Sequence, residues 1–182
     1  VIGGARSGKS RHAEALVRSA GRERVYLATA QVWDEEMAER VRLHRADRPQ
    51  GWQTIEEPYA IAPLLARGFD GKPVLLDCLT LWLTNVLLAS DDPSLSGMPS
   101  PEQACETLLA TLATCPGPLV LVSNEVGLGI VPDNALSRRF RDLAGRLHQN
   151  VAALADRVDL VTAGIPLSLK PQLALAPVAE YP

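Results

Sequence analysis

Apolar residues in this chain gather into short, nearly continuous runs separated by longer stretches of mixed character. Four of them, Val25-Tyr-Leu-Ala-Thr-Ala30, Pro73-Val-Leu-Leu-Asp77, Leu119-Val-Leu-Val-Ser123 and Val158-Asp-Leu-Val-Thr162, read as buried strands. Runs without strict alternation suit a parallel sheet covered on both faces. Helices are predicted over 10–19, 34–46, 60–66 and 102–114, with a long one over about 134–155. Strand and helix alternate, which predicts an α/β fold, a mostly parallel sheet flanked by helices with right-handed crossovers.

Punctuation refines the plan. The segment 90–101, rich in Ser, Asp and Pro, reads as an exposed loop insertion, with a lid as the alternative. The tail beyond Gly164 carries prolines at 166, 171, 177 and 182 and is expected to run over the surface as irregular chain. Val1 and Ile2 read as the end of a strand, with a few of its residues expected upstream.

At 182 residues, the chain fits a single domain over 1–182. With 47% hydrophobic and 21% charged residues it is not a disordered chain. A net charge of -3 and an aromatic content of 4% argue against nucleic acid as a partner. Cys78, Cys105 and Cys115 are widely spaced and form no CxxC or zinc-like cluster. They read as free thiols of a reducing compartment, so a cytoplasmic location is expected. No apolar run is long enough to span a membrane, and no signal-peptide pattern precedes the first motif.

The chemistry starts at the first residues. Gly3-Gly4-Ala5-Arg6-Ser7-Gly8-Lys9-Ser10 matches G-x-x-x-x-G-K-S, a phosphate-binding P-loop. Its glycines admit close approach, its backbone N–H groups cradle phosphate oxygens, Lys9 brings a charge to the β- and γ-phosphates, and Ser10 offers a hydroxyl to Mg²⁺. Apolar residues before it and a helix-like stretch after it give the motif its expected context. Such a loop also needs an acidic residue at the end of a neighbouring strand to organise the metal. Asp77, closing Val74-Leu-Leu-Asp77, is the candidate; a structural role for it stays open. Thr29 is a weaker pocket candidate that could equally cap the next segment.

A second constellation runs from Asp34 to Pro49. Acidic residues gather at its start, and Arg40, Arg42, Arg45 and Arg48 gather toward its end, a polarity that favours a helix. Trp33, Met37, Val41 and His44 share one helical face, which fits a packed histidine. The arginines fit a phosphate ligand instead, and they would keep the imidazole neutral and nucleophilic. Nucleophile, ligand contact and packing residue therefore all remain open for His44 on residue chemistry alone. His12 and His148 read as structural or surface residues. Glu56 could touch a base or ribose, or occupy a turn.

With these segments in hand, the chain resembles the bifunctional adenosylcobinamide kinase / adenosylcobinamide-phosphate guanylyltransferase family of corrinoid biosynthesis. The resemblance rests on Gly3–Glu14, Tyr26–Ala30, Asp34–Ala38 continuing through His44–Pro49, Ser123–Pro132 and Phe140–Gln149. It implies two reactions at one nucleotide site. A γ-phosphoryl group passes from ATP or GTP to adenosylcobinamide, and GMP passes from GTP to adenosylcobinamide-phosphate through a guanylylated histidine, matched here by His44. It further implies guanine and ribose contacts from Ala28, Thr29 and Ala30, from Arg45, Ala46, Asp47 and Arg48, and from Glu56. Asp77 takes the metal-associated role, and a homo-oligomer with active sites near subunit boundaries is expected.

Because the two reactions place different phosphates at the reacting centre, movement of the His44 helix or a second nucleotide register is expected. In Asn124–Pro132, Gly127 and Gly129 are expected to let backbone pass close to ligand or neighbour, and Glu125 could orient corrinoid or a metal-bound water. The rival readings are an ordinary small-molecule kinase that uses Lys9, Ser10 and Asp77 without a histidine intermediate, and a GTP-binding switch.

Overall fold

A computed structural model of the chain describes residues 1–31, 51–95 and 97–171. The predicted helix over 34–46, with His44, Arg45, Ala46, Asp47 and Arg48, lies outside the described residues.

The elements follow the chain as β1 (Ile2–Gly3), α1 (Lys9–Ala20), β2 (Arg24–Ala28), β3 (Trp52–Glu56), α2 (Ile61–Arg67), β4 (Val74–Asp77), α3 (Leu79–Ala89), α4 (Pro101–Leu112), β5 (Leu119–Asn124), α5 (Ala135–Leu154), β6 (Val158–Thr162) and β7 (Ile165–Lys170). The strands form one seven-stranded sheet in the order β3-β2-β4-β5-β1-β6-β7. All neighbours pair parallel except β6 and β7. The α/β expectation holds.

Alternation within the central strands divides the core in two. Tyr26, Leu75 and Val122 pack with Ala13 and Val17 of α1 on one face. Val25, Leu27, Val74 and Leu76 pack on the other against α2, α3, α4 and α5. Leu143, Ala144 and Leu147 of α5 sit at helical spacing and are buried there. Helix α4 starts at a capping box in which Ser100 and Gln103 satisfy each other's backbone N–H groups.

Three elements differ from expectation. Helix α3 is absent from the periodicity because it is apolar nearly all round: Leu79, Trp82, Leu83, Val86 and Leu87 are all buried. It runs between the sheet and other helices, so no polar stripe marks it. Its buried Asn85 is satisfied by donating to the carbonyls of Thr29 at 2.8 Å and Pro58 at 3.0 Å. Strand β3 is a short edge strand in register with β2, and Glu56 ends that strand.

The tail after Gly164 is not irregular over 165–170. Ala163 and Gly164, both at positive φ, make the two-residue turn of a β6–β7 hairpin. Pro166 is tolerated because β7 is an edge strand.

Candidate nucleotide site

The parallel strands bring their C-terminal ends to one edge of the sheet, where ligands of open α/β folds bind. In the loop from β1 to α1, Arg6 has φ 55° and Gly8 has φ 94°. Left-handed residues alternating along a chain turn successive N–H groups to one side and make an anion-binding concavity. Gly8 caps α1 without a side-chain hydrogen bond, and no acidic residue stands in the first turn. The helix therefore offers open N–H groups and an uncompensated positive dipole end.

The first glycine of the motif serves packing. A Cβ on Gly3 would lie 2.5 Å from the Val161 carbonyl oxygen and 2.6 Å from Ser7 Oγ. A Cβ on Gly4 would meet nothing within 4 Å, so this position leaves the loop's outer side clear. The Ser7 hydroxyl is buried beneath the loop without a hydrogen-bond partner among the described residues, and the Ser7 N–H closes the loop on the Gly4 carbonyl at 3.3 Å. The Ser7 carbonyl is held from below by the Gly164 N–H at 2.7 Å, so the β6–β7 turn braces the phosphate loop. Lys9 Nζ donates to the Gly4 carbonyl at 3.2 Å and lies folded over the loop.

Asp77 ends β4 on the α1 face, and β5 intervenes between β4 and the P-loop strand. The acidic residue is thus one strand further from the loop than an immediate neighbour would be. Tyr26 donates its hydroxyl to Asp77 Oδ2 at 2.9 Å, fixing the carboxylate. Register lines up Asp77 with Ala28, and Ala28 with Glu56, along the same edge. Asn124 pairs with Gly3 on the loop side.

Thr29 is fully buried. Its Oγ1 donates to the Cys78 carbonyl at 2.8 Å and accepts from the Cys78 N–H at 2.9 Å. It ties together the residues just beyond β2 and β4, and its hydroxyl proton is committed to that tie. Ala30 follows directly at the same edge.

The donor set suits Mg²⁺. A serine hydroxyl and one carboxylate are hard oxygen ligands, and Mg²⁺ in phosphate-transfer sites takes few protein ligands alongside substrate phosphates. Among the described residues no cluster of three or more His, Cys, Asp or Glu side chains forms a protein-only cage.

Behind the loop, His12 Nε2 meets Asp159 Oδ2 at 2.7 Å, and Arg157 Nε donates to Oδ1 at 2.9 Å. The Asp159 side chain is 1% exposed. Burial works to raise its pKa, but the hydrogen bonds and charges of Arg157 and His12 outweigh burial and hold it below the usual range. His148, bonded to Ser123 Oγ at 2.7 Å, has its pKa lowered by burial. Both histidines serve structure.

Burial raises the Cys78 thiol pKa, with the Asp77 charge adding to it, and pushes Cys105 up to about 11. Cys115 is raised by burial as well. All three are free, protonated thiols.

A cleft of about 490 Å³ lies at the opposite edge of the sheet, between Leu119, Leu121, Val151, Ala155 and Arg157; it holds none of the predicted site residues.

A sequence model of the cobinamide kinase / cobinamide phosphate guanyltransferase family matches residues 1–169. The chain belongs to this family. The bifunctional adenosylcobalamin biosynthesis protein CobP of Pseudomonas aeruginosa is 50% identical over 171 residues, covering 93% of this chain and 95% of that protein. The bifunctional adenosylcobalamin biosynthesis protein CobU of Escherichia coli is 44% identical over 178 residues, covering 93% and 98%. Its namesake from Salmonella typhimurium matches at the same identity and coverage. This family membership agrees with the P-loop and sheet edge described above. No helix among the described residues is long and apolar enough to cross a membrane.

Beyond the predicted residues, the fold brings Tyr26, Thr80, Asn124 and Gly164 to this edge. Tyr26 and Asn124 lie in segments that carry the family resemblance and Gly164 stands two residues after a strand-like run, whereas Thr80 sits in the helix that periodicity does not show.

Proposed function

We propose that this chain phosphorylates adenosylcobinamide with ATP or GTP and then transfers GMP from GTP to adenosylcobinamide-phosphate, releasing pyrophosphate. The observation that carries this reading is 50% identity, over 93% of the chain, to a relative named bifunctional. The phosphate loop supports it chemically.

In the first reaction the corrinoid hydroxyl oxygen attacks the γ-phosphorus, and the bond to the β,γ-bridging oxygen breaks. The loop amides and Lys9 hold the phosphates in place and meet the charge that builds on the leaving diphosphate. In the second, a nitrogen of His44 attacks the α-phosphorus of GTP and pyrophosphate departs. The phosphate oxygen of adenosylcobinamide-phosphate then attacks the same phosphorus and frees the histidine. Arg45 and Arg48 clamp phosphate oxygens in this reading, with Ala46 and Asp47 beside them. Ala28, Ala30 and Glu56 line the base and ribose end in this reading, supported by the row that Ala28 and Glu56 share with Asp77 along the edge. Mg²⁺ held by Ser10 and Asp77 would supply charge neutralisation between phosphates.

The active form is a homo-oligomer in the cytoplasm. Exposed Leu128, Ile130 and Val131 support contact between subunits, and the free thiols support a reducing compartment.

The test is incubation with GTP labelled at the α-phosphate. Acid-labile label should stay on the wild-type protein and be absent from His44→Ala, which retains phosphorylation of adenosylcobinamide. Sustained GMP transfer without protein-bound label would overturn the histidine route. Failure of the wild type to phosphorylate the corrinoid would overturn the reading as a whole.

A further inference from the structure

The polar group at the end of β5 has no part in the chemistry above. Asn124 is the last residue of that strand and stands in register with Gly3, the first residue of the phosphate loop. It lies two residues beyond Val122, which packs against Ala13 and Val17 of α1. Alternation therefore places Asn124 on the α1 face, the face that also carries Asp77 and Tyr26. Because β5 runs between β1 and β4, Asn124 stands between the phosphate loop and the Asp77 carboxylate.

Its carboxamide is held. Nδ2 donates to Thr80 Oγ1 at 3.0 Å, and the Asn124 backbone N–H reaches the same oxygen at 3.4 Å. Thr80 is buried, and its Oγ1 lies 3.1 Å from Cys78 Sγ. One amide N–H is thus used for orientation. The second N–H and Oδ1 have no partner among the described residues. Both groups border the concavity that the left-handed residues Arg6 and Gly8 make for an anion. The γ-phosphoryl group passes to its acceptor in the space between a P-loop lysine and the metal-associated carboxylate.

We propose that Asn124 is a catalytic residue that donates its free N–H to a γ-phosphate oxygen, and that Thr80 is the positioning residue that holds the carboxamide for it. This rests on the nucleotide reading above. It assigns to β5 a contact made with triphosphate and absent with diphosphate.

The test compares α,β-methylene-GTP with α,β-methylene-GDP by calorimetry. The two differ only in the γ-phosphate, and neither can transfer GMP to a histidine. In Asn124→Ala the triphosphate should bind roughly 10- to 100-fold more weakly, the range for a hydrogen bond to a charged group. The diphosphate should bind as in wild type, which also reports an intact loop. Thr80→Val should repeat the pattern more mildly, and Thr80→Ser should restore triphosphate binding. Unchanged triphosphate affinity in Asn124→Ala, or equal loss of both ligands, would overturn the proposal. Wild-type protein that binds neither analogue would instead overturn the nucleotide site itself.

Discussion

The Tyr26 hydroxyl donates to Asp77 Oδ2 across the β2–β4 pair at 2.9 Å. Among the described residues no hydrogen bond falls on its other oxygen, and the direction of the carboxylate is set by a ring packed in the core.

Tyr26→Phe keeps the ring and removes the hydroxyl. Corrinoid phosphorylation should fall roughly 3- to 20-fold in kcat, with thermal stability lowered by about 0.5–1.5 kcal/mol. Asp77→Asn should cost far more activity. Steady-state kinetics on both variants checks the order, and equal rates for Tyr26→Phe and wild type would show that Asp77 needs no orientation.

Lys9→Ala should depress both reactions, because both build charge on the phosphates held by the loop. We expect at least about 100-fold loss in each, the scale for removing one preorganised charge-stabilising donor. Assays of phosphoryl and GMP transfer on one preparation check this. Selective loss of one reaction would mean that the loop serves only one.

Gly3→Ala should fail as a structural change before it fails as a chemical one. Its Cβ would press on the Val161 carbonyl at 2.5 Å, and backbone cannot yield as a side-chain tip can. Urea unfolding should show a loss of roughly 1–3 kcal/mol, with nucleotide binding lost in parallel. Gly4→Ala, with open space around it, should leave stability nearly unchanged while weakening nucleotide binding.

The buried Asp159 gives a pH signature. Its folded pKa lies below the ordinary aspartate range, so its stabilising contribution is complete above that range and is lost as pH falls through the folded pKa. His12→Ala together with Arg157→Ala strips the carboxylate of both partners and should cost about 3–5 kcal/mol near pH 7, as for a broken buried ion pair. The penalty relative to wild type should shrink below about pH 4, where the carboxyl protonates. Chemical denaturation at pH 7 and pH 3.5 measures it. A penalty independent of pH would show that the charge of Asp159 is not what the partners stabilise.

Much of this molecule was legible in its residues. Strands over 74–77, 119–124 and 158–162 stood out as apolar runs because they are covered on both faces. Helices α1 and α5 stood out because each buries a single stripe against the sheet. The phosphate loop was legible because its chemistry is local: glycine freedom, consecutive amides and a lysine all lie within Gly3–Ser10. Helix α3 was not, since burial on every side erases the periodicity on which such a reading depends. The hairpin to β7 was hidden by its prolines, whose meaning changes once the strand is known to lie on an edge.

The sequence by itself determined the fold class, the phosphate cradle and the family, because each rests on residues close together in the chain or on similarity along nearly all of it. Which of the described side chains come to one edge of the sheet follows only from the tertiary structure. Thr29 ends a predicted strand, and only the fold shows that its hydroxyl is buried and tied to the Cys78 backbone. Asn124 looks like one more loop residue, yet the insertion of β5 between β1 and β4 sets it between the loop and Asp77. Strand order and facing direction are products of packing distant segments together, and no local pattern of residues encodes them.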